Sequence, residues 1–464
     1  MKTKILLLFF YASTVLVSAQ SNVVPIDWSK FKKAPPTDEA SLILTQNILN
    51  ANKYMLNTWW NQVKKFDTIP ADQYLNFGGI GEHNIRPCAT EAECLAISLK
   101  LGVYRADYTG VSVKEATLRL TKLISSLAYR HKAVSEKGWG NVWQSALWTG
   151  SMGTAAWLMW PDLDANSQKM VQQVIEYEAN RFNEYKVPYY KDRNGSIKFS
   201  GDTKCEENAW NSFVLDIATA MMPTHKNYSV WMNKNIELML SAFAKPSDIT
   251  KADIYHGKPL SEWLNGSNSF EDGTLVNHSR VHPEYIASGL FEFSPARIYP
   301  LAGKPVPKAG AFNVTESYSA FTQRKFIVGE ILPDTKPNNG RVLAPGGVIY
   351  SKATSEVNDP SDIYFPQGND WGLLGRVNYV NADAVASAVA ASKAVQKNAN
   401  FWLTIHAQKV LNCQKRFDTG QTYKNASECN YMSREEASAT QTARAYLVRW
   451  LYYQGAVRFS NEKY

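Results

Sequence analysis

The sequence lacks the short motifs that carry most nucleotide, hydride-transfer and redox chemistry. Its 464 residues contain no Walker A loop, no dinucleotide fingerprint, no Gly-X-Ser-X-Gly elbow and no Cys-X-X-Cys pair. They contain no run of Lys and Arg either, so no nucleic-acid footprint is present. These absences argue against the protein classes that such motifs define, and we predict an activity without a cofactor.

Cysteine is scarce, with five residues in the whole chain. The short spacing between Cys88 and Cys94, and the polar loop bracketed by Cys413 and Cys429, predict two local disulfides in an oxidising compartment. Cys205 is then left over. We interpret it as a small buried residue rather than a reactive thiol.

One long apolar run occurs, at the amino terminus. Lys2 and Lys4 precede an apolar segment over 5–17, and small residues follow at 18–19. This pattern is typical of a signal peptide cleaved before Gln20, so we expect a secreted, extracellular protein with no membrane anchor. The chain also carries acceptor sequons for N-glycosylation, at Asn194, Asn227, Asn265, Asn277, Asn313 and Asn425.

The composition is that of a globular protein with many aromatic side chains. Hydrophobic residues make up 45%, charged residues 20% and aromatic residues 12%, with 14 Trp and 24 Tyr. Aromatic rings stack on the flat C–H faces of sugars, although most rings in a large helical protein belong to its core. The formal charge of +8 fits an acidic substrate.

Helical periodicity dominates the rest of the chain. Thr37 is a predicted helix cap, and capping boxes beginning at Thr90, Ser112 and Ser433 predict three helix starts. Further apolar patterns bring the total to about a dozen helices, several joined by short turns. Such helical hairpins close into a ring with a funnel at one end.

The predicted architecture is therefore all-α, an (α/α) toroid of about six hairpins. An irregular stretch over 331–370, rich in Pro and Gly with short β-type segments, predicts a small β excursion across the rim. No linker divides the chain, so residues 20–464 are predicted to form one domain.

The densest cluster of chemical groups lies at 277–285. It contains an amide, two imidazoles, a guanidinium and a phenol, from Asn277, His278, Arg280, His282 and Tyr285. The proline that follows His282 predicts a helix start there, where free backbone amides favour anions. Two alternatives remain open: a loop that ties down the rim, and a metal site from the two histidines, which lacks a third ligand.

Two further segments pair a carboxylate with an aromatic ring. Glu206 and Trp210 stand one turn apart at the start of a predicted helix, and Asp370 precedes Trp371 in a loop. Both pairs are predicted to bind substrate. The structural alternative is that the carboxylates only cap a helix or complement its dipole.

A tryptophan-rich segment opens another predicted helix. Trp139 and Trp143 are predicted to line a sugar-binding groove, with Gln144 as a hydrogen-bonding partner. Core packing is the predicted role of the neighbouring Trp148.

Helical hairpins, aromatic helix starts and polar clusters at loop–helix junctions together resemble the (α/α)-toroid carbohydrate-active enzymes, which include polysaccharide lyases and six-hairpin glycosidases. The resemblance covers most of residues 38–455 and is architectural. Toroid lyases use Asn, His, Arg and Tyr together, which this sequence offers as Asn277, His278, Arg280 and Tyr285.

The resemblance makes a polysaccharide lyase the first hypothesis. Asn277 and Arg280 would neutralise the carboxylate of a uronic acid, His278 or His282 would take the C5 proton, and Tyr285 would protonate the leaving oxygen. The expected partner is an acidic polysaccharide or oligosaccharide.

Two alternatives stay open. One is an inverting glycoside hydrolase whose carboxylate pair comes from Glu206, Glu207, Asp272, Glu284 and Asp370. The other is a glycan-binding protein without catalytic activity.

Overall fold

Long helices dominate the structure, a computed structural model that describes residues 22–63, 74–326, 347–348, 350, 375–426, 428–429 and 431–460. Twelve helices of nine residues or more lie in this part of the chain. They are α1 (Glu39–Tyr54), α2 (Glu82–Lys100), α3 (Val113–Tyr129), α4 (Ser145–Leu158), α5 (Ala165–Asn180), α6 (Cys205–Met221), α7 (Tyr228–Ala242), α8 (Pro283–Phe291), α9 (Val314–Gln323), α10 (Gly375–Val389), α11 (Lys393–Gln414) and α12 (Arg434–Gln454).

These helices form two concentric rings. The even-numbered helices pack side by side in the order α2, α4, α6, α8, α10, α12, and α12 packs back on α2 to close the inner ring. The odd-numbered helices pack against the outside of that ring. The predicted all-α toroid is thus confirmed, with six hairpins in the described residues.

The difference between the rings is visible in the side chains. Outer helix α3 buries one stripe, which includes Leu120, Leu123 and Leu127, and leaves its other face in solvent. Inner helix α4 is buried on every side. Its Gly150 permits the close approach of α6, since a Cβ there would lie 2.4 Å from the Phe213 ring.

Helix starts follow the sequence signals only in part. Ser112 caps α3 as predicted, because its hydroxyl accepts the Glu115 amide. The prediction for Thr90 is wrong: α2 begins eight residues earlier, at Glu82, and the Thr90 hydroxyl donates to the Arg86 carbonyl inside the helix.

Of the other two predicted caps, Thr37 is displaced by one residue, and Ser433 stands at the predicted helix start but without a capping bond. The carboxylate of Asp38, rather than Thr37, caps α1. Ser433 precedes α12 but its side chain makes no capping bond. The Glu436 carboxylate, which would complete the capping box, accepts a hydrogen bond from the Trp59 indole instead.

The two predicted disulfides are absent among the five cysteines, all of which are described and buried. Cys88 and Cys94 both lie in α2. Six residues of helix separate their Cα atoms by about 9 Å, which is too far for a disulfide bridge. Cys413 and Cys429 are not bridged either, so the disulfide prediction is wrong for this structure.

Strands are short and peripheral. They form antiparallel pairs of two residues each: β1 (Lys191–Asp192) with β4 (Gly266–Ser267), β2 (Ile254–Tyr255) with β3 (Lys258–Pro259), β5 (Val276–Asn277) with β6 (Arg280–Val281), and β7 (Lys325–Phe326) with β8 (Gly347–Val348). In the last pair, β7 precedes the predicted β excursion over 331–370 and β8 lies within it, while most of the excursion lies outside the described residues.

Shorter helical segments fill the connections. Single turns of α-helix lie at Trp60–Val63, Ala106–Thr109, Leu260–Trp263 and Pro295–Ile298, a π-helical segment at Met55–Trp59, and 3-10 turns at Trp28–Lys30, Trp160–Asp162, Pro246–Thr250, Tyr299–Ala302 and Lys308–Ala311. None of the described helices is both long and apolar enough to cross a membrane. The predicted signal peptide lies outside the described residues.

The ring topology determines where a site forms. Because inner and outer helices alternate along the chain in hairpins, the six inner helices run parallel and begin at the same end of the ring. Their amino-terminal amides and the positive ends of their dipoles therefore meet there.

Candidate active site

A pocket of about 1040 Å³ opens at the end of the ring where the inner helices begin. Five of the six inner helices supply its described walls. The lining residues are Glu82, Arg86 and Thr90 of α2; Trp143, Gln144 and Leu147 at α4; Glu206 and Trp210 of α6; Glu284, Tyr285, Ser288 and Glu292 at α8; and Tyr431, Ser433, Ala437, Thr440, Gln441 and Arg444 at α12.

Glu206 is a carboxyl group of this pocket in a strongly buried environment. It is the second residue of α6 and is only 4% exposed. Its Oε1 atom accepts a hydrogen bond of 3.1 Å from the Asn277 amide, whereas Oε2 has no partner among the described residues. Burial, with the nearby Glu207 carboxylate as a further cause, raises the pKa of Glu206 well above its usual value. Glu206 is therefore suited to hold a proton that it can give up to a ligand.

Three other carboxylates line the same pocket. Glu284, the second residue of α8, is 3% exposed. Glu82 forms an ion pair of 3.0 Å with Arg86 and accepts a 3.2 Å hydrogen bond from the Tyr431 hydroxyl. The third is Glu292, which pairs with Arg444 at the bottom of the pocket.

A buried charge network forms that floor. The Arg444 guanidinium lies 2.8 Å from Glu93, 3.3 Å from Glu292 and 2.9 Å from the Ser151 hydroxyl. Arg444 is 1% and Glu93 0% exposed. Because Arg444 is already paired with two carboxylates, it offers little net positive charge to a ligand.

Aromatic rings form one wall. Trp143 is 61% exposed, and its ring meets the ring of Trp210 edge-on at 5.2 Å. Trp210 is itself buried, and its indole N–H has no partner among the described residues. Gln144 accepts a hydrogen bond of 3.3 Å from Arg86 beside these rings. The wall thus offers a flat apolar face next to polar groups, which suits a sugar ring.

The 277–285 cluster sits beside the pocket and reaches it at Tyr285. Strands β5 and β6 form a hairpin whose central residues, His278 and Ser279, have φ of 49° and 61°. Positive φ at both positions is the geometry of a type I′ turn, which matches the twist of paired strands. The turn brings His278 Nε2 to 3.1 Å from the Tyr285 hydroxyl, which lines the pocket.

The remaining predicted members of this cluster stand behind the wall. Asn277 is 3% exposed and donates to Asp202 as well as to Glu206, so its amide has no room for a glycan. His282 is the N-cap residue of α8 and is fully buried. The side chain of Arg280 lies outside the described residues.

Other predicted site residues are dispersed. Trp139 does not line the pocket: it is 1% exposed, and its indole donates to the Leu127 carbonyl in the core. Glu207 forms an ion pair of 3.0 Å with Lys204. Asp272 pairs with an arginine at the surface, away from the described lining residues.

Asp370 and Trp371 lie outside the described residues. Among the residues that the structure does describe, no group of three or more His, Cys, Asp or Glu side chains is placed to hold a metal ion.

Sequence reasoning missed the part of the pocket that α12 supplies. Tyr431, Gln441 and Arg444 are distant in sequence from the other lining residues, and no local motif marks them. Only the closure of the ring, through the packing of α12 on α2, brings them to the pocket.

Comparison with known proteins gives a likeness of fold. No family model and no curated protein sequence matches the chain. Among solved structures, it is similar to the α-1,6-mannanase GH76A of Salegentibacter sp. HEL1_6. An inactive variant of that enzyme with α-1,6-mannotriose has 11% identity and a TM-score of 0.42, over 87% of this chain and 99% of that chain. A second inactive variant, with α-1,6-mannotetrose, has 10% identity and a TM-score of 0.41, over 89% and 100%.

A further structure of the same mannanase gives 11% identity and a TM-score of 0.41, over 87% of this chain and 99% of that chain. The likeness is one of overall helical architecture.

The polysaccharide lyase hypothesis is corrected. The solved structures that the chain resembles are of a glycoside hydrolase and not of a lyase. The pocket also fits poorly with elimination at a uronic acid. Asn277 bonds Glu206 and Asp202 instead of facing the pocket, and four glutamates line a cavity that would have to accept a substrate carboxylate.

Proposed function

We propose that this chain is a secreted glycoside hydrolase that cleaves an uncharged polysaccharide or oligosaccharide. The observation that carries the proposal is Glu206, a buried carboxyl group with a raised pKa and one oxygen that has no partner among the described residues at the pocket wall. Hydrolysis of a glycosidic bond needs such a protonated carboxylic acid to protonate the departing oxygen.

Glu284 is the proposed second carboxylate, acting as the base that activates water. It occupies the same place in α8 that Glu206 occupies in α6, the second residue of the helix, and both side chains line the pocket. The two helices pack directly on each other. Packed helix axes lie about 8–10 Å apart, close to the 6.5–9.5 Å that separates the carboxyl groups of inverting hydrolases. We therefore expect inversion at the anomeric carbon.

The proposed substrate contacts follow from the walls. Trp143 stacks on a sugar ring at the mouth, where it is most exposed, while Gln144 and Tyr285 bond hydroxyl groups further in. The described arginines of the pocket are both paired with glutamates, which favours an uncharged sugar over an anionic one.

The proposal is tested with a panel of uncharged polysaccharides, including α- and β-linked mannans, glucans and xylans. We expect new reducing ends without the ultraviolet absorbance of a C4–C5 double bond. Glu206→Gln should lower turnover by roughly 10²–10⁴-fold, the usual worth of acid–base catalysis.

Glu207→Gln is the matched control, because it removes the neighbouring carboxylate of the same helix, which pairs with Lys204 and is not among the described lining residues. Because the Glu207 carboxylate helps to raise the pKa of Glu206, this variant should move the pH profile of turnover to lower pH but keep most of its maximal turnover. Full activity of a folded Glu206→Gln variant would contradict the assignment. Saturable binding of glycans with no cleavage over long incubation would instead show a glycan-binding protein.

A further inference from the structure

A second groove opens at the opposite end of the ring from the candidate active site. It has a volume of about 760 Å³ and lies where α11 begins and where α10 and α12 end. Its lining residues are Ser387, Ala388, Lys393, Gln396, Lys397, Asn400, Arg449, Tyr452 and Tyr453. The two sites use different parts of α12: the candidate active site is lined between Ser433 and Arg444, and the groove between Arg449 and Tyr453.

The charge of this groove is positive. Lys393 and Lys397 are exposed at the first and fifth positions of α11, and Arg449 reaches the same space from α12. Asp38 pairs with Arg449 and also bonds the Tyr453 side chain, so it offsets the guanidinium charge. No carboxylate is among the described lining residues, which leaves the two lysines as the source of net positive charge. Arg449 also donates to the Asn400 amide oxygen at 2.6 Å, which holds the guanidinium at the groove.

Two exposed aromatic rings accompany these cations. Tyr452 is 45% and Tyr453 40% exposed, and their rings meet edge-on at 6.1 Å to form a corner. Lys33 packs behind this corner, where its ammonium group donates to the Tyr453 carbonyl at 2.9 Å. Tyrosine rings combine an apolar face with a polar tip, so an exposed pair in a polar groove suits a ligand with both kinds of surface.

We infer that this groove is a second, non-catalytic binding site for an anionic saccharide chain. The lysines would pair with carboxylate or sulfate groups, the tyrosine rings would stack on the sugar faces, and Gln396 and Asn400 would bond hydroxyl groups. Such a site would hold the protein on an acidic matrix and leave the candidate active site open. The net positive charge of the chain would favour this binding.

The test measures binding of the full chain to three oligosaccharides of equal length by calorimetry. One carries carboxylates (an oligogalacturonate), one carries sulfates (a heparin fragment) and one is uncharged (a mannooligosaccharide). We expect saturable binding of at least one anionic probe, weakened by salt because exposed charges are screened. Comparison of the two anionic probes shows whether the groove binds carboxylate groups, sulfate groups or both.

Lys393→Gln combined with Lys397→Gln should weaken anionic binding by about three- to twentyfold, as expected for two exposed ion pairs. The matched control replaces Lys114 and Lys169 by Gln. These lysines are exposed at the second position of α3 and the fifth of α5, and so lie near the starts of other outer helices. The control should bind as the unmodified chain does.

Glu206→Gln should also bind the anionic probes unchanged, which separates this groove from the candidate active site. The inference is overturned if the unmodified chain binds neither anionic probe, if the uncharged probe binds equally well, or if the Lys393 and Lys397 variant binds as tightly as the control. Because every substituted lysine is exposed, melting temperatures should stay unchanged.

Discussion

The buried carboxyl group of Asp216 predicts a pH dependence of the unfolding free energy that can be measured. It lies in inner helix α6 and is 0% exposed. Its oxygens accept hydrogen bonds of 2.6 Å from the Ser294 hydroxyl and 2.7 Å from the Asn235 amide. Burial outweighs these bonds and raises the pKa of Asp216 from 3.8 to about 7.

The size of the effect follows from linkage. The folded-state pKa exceeds the unfolded one, so the native state holds the proton more tightly. The contribution of Asp216 to stability is therefore complete below about pH 3.8 and is lost as the pH rises to about 7. A shift of this size corresponds to roughly 4 kcal/mol of unfolding free energy.

Asp216→Asn should remove this dependence. An amide of the same shape can accept from Asn235 and donate to Ser294, so the fold should persist. Urea unfolding at pH 4 and pH 8 gives the free energy for each protein. We expect the loss between these two pH values to be smaller in Asp216→Asn by roughly 4 kcal/mol. As a control, Asp253→Asn removes an exposed carboxylate and should leave the loss unchanged. Parallel curves for the unmodified protein and Asp216→Asn would refute the reasoning.

Four further outcomes are expected. Arg444→Met should lower the unfolding free energy by about 3–5 kcal/mol because it leaves Glu93 charged and buried, and adding Glu93→Gln should recover part of this loss in the same urea titration. Turnover on a cleaved polysaccharide should fall as the pH rises through the raised pKa of Glu206, and the fall should be absent in Glu206→Gln. Trp143→Ala should raise KM about two- to tenfold with little change in kcat, as loss of one stacking contact predicts. Dithiothreitol should leave the melting temperature unchanged, since no disulfide links the five cysteines, and a large fall would contradict this.

The fold could be predicted from the sequence because helical periodicity and short turns are local signals. The Ser112 cap and the proline after His282 each mark a helix start where the structure has one. Local signals fail where tertiary contacts compete with them. Thr90 has the sequence of a cap but lies inside α2, and the Glu436 carboxylate accepts a hydrogen bond from the Trp59 indole instead of completing a capping box.

The cysteine prediction failed for a related reason. Short spacing favours a disulfide only when the intervening chain can fold back, and Cys88 and Cys94 are separated by continuous helix. The compartment expected from the amino terminus gave no information about this local geometry.

The candidate site was predictable to the extent that its residues begin inner helices. Glu206, Trp210, Trp143, Gln144 and Tyr285 lie at or near such starts, and the structure brings all of them to one pocket. The sequence could not rank them, because an acidic residue in a first turn also complements the helix dipole. What separates Glu206 from an ordinary first-turn glutamate is an oxygen that is buried and unpartnered among the described residues, and that property depends on packing from α8 and the β5–β6 hairpin.

The same reasoning applies to the two histidines, whose catalytic role stays a prediction. His278 and His282 are close in sequence to a helix start, but the type I′ turn and the fully buried N-cap direct them behind the wall, where one of them bonds Tyr285. Replacing His278 by Ala therefore tests a positioning role. Loss of the 3.1 Å bond should hold the Tyr285 side chain less firmly and lower kcat less than Glu206→Gln does. His278→Gln, which can restore a hydrogen bond to the phenol, should recover part of the loss. If the Ala variant lost as much turnover as Glu206→Gln and the Gln variant recovered none of it, His278 would have to act on the substrate itself.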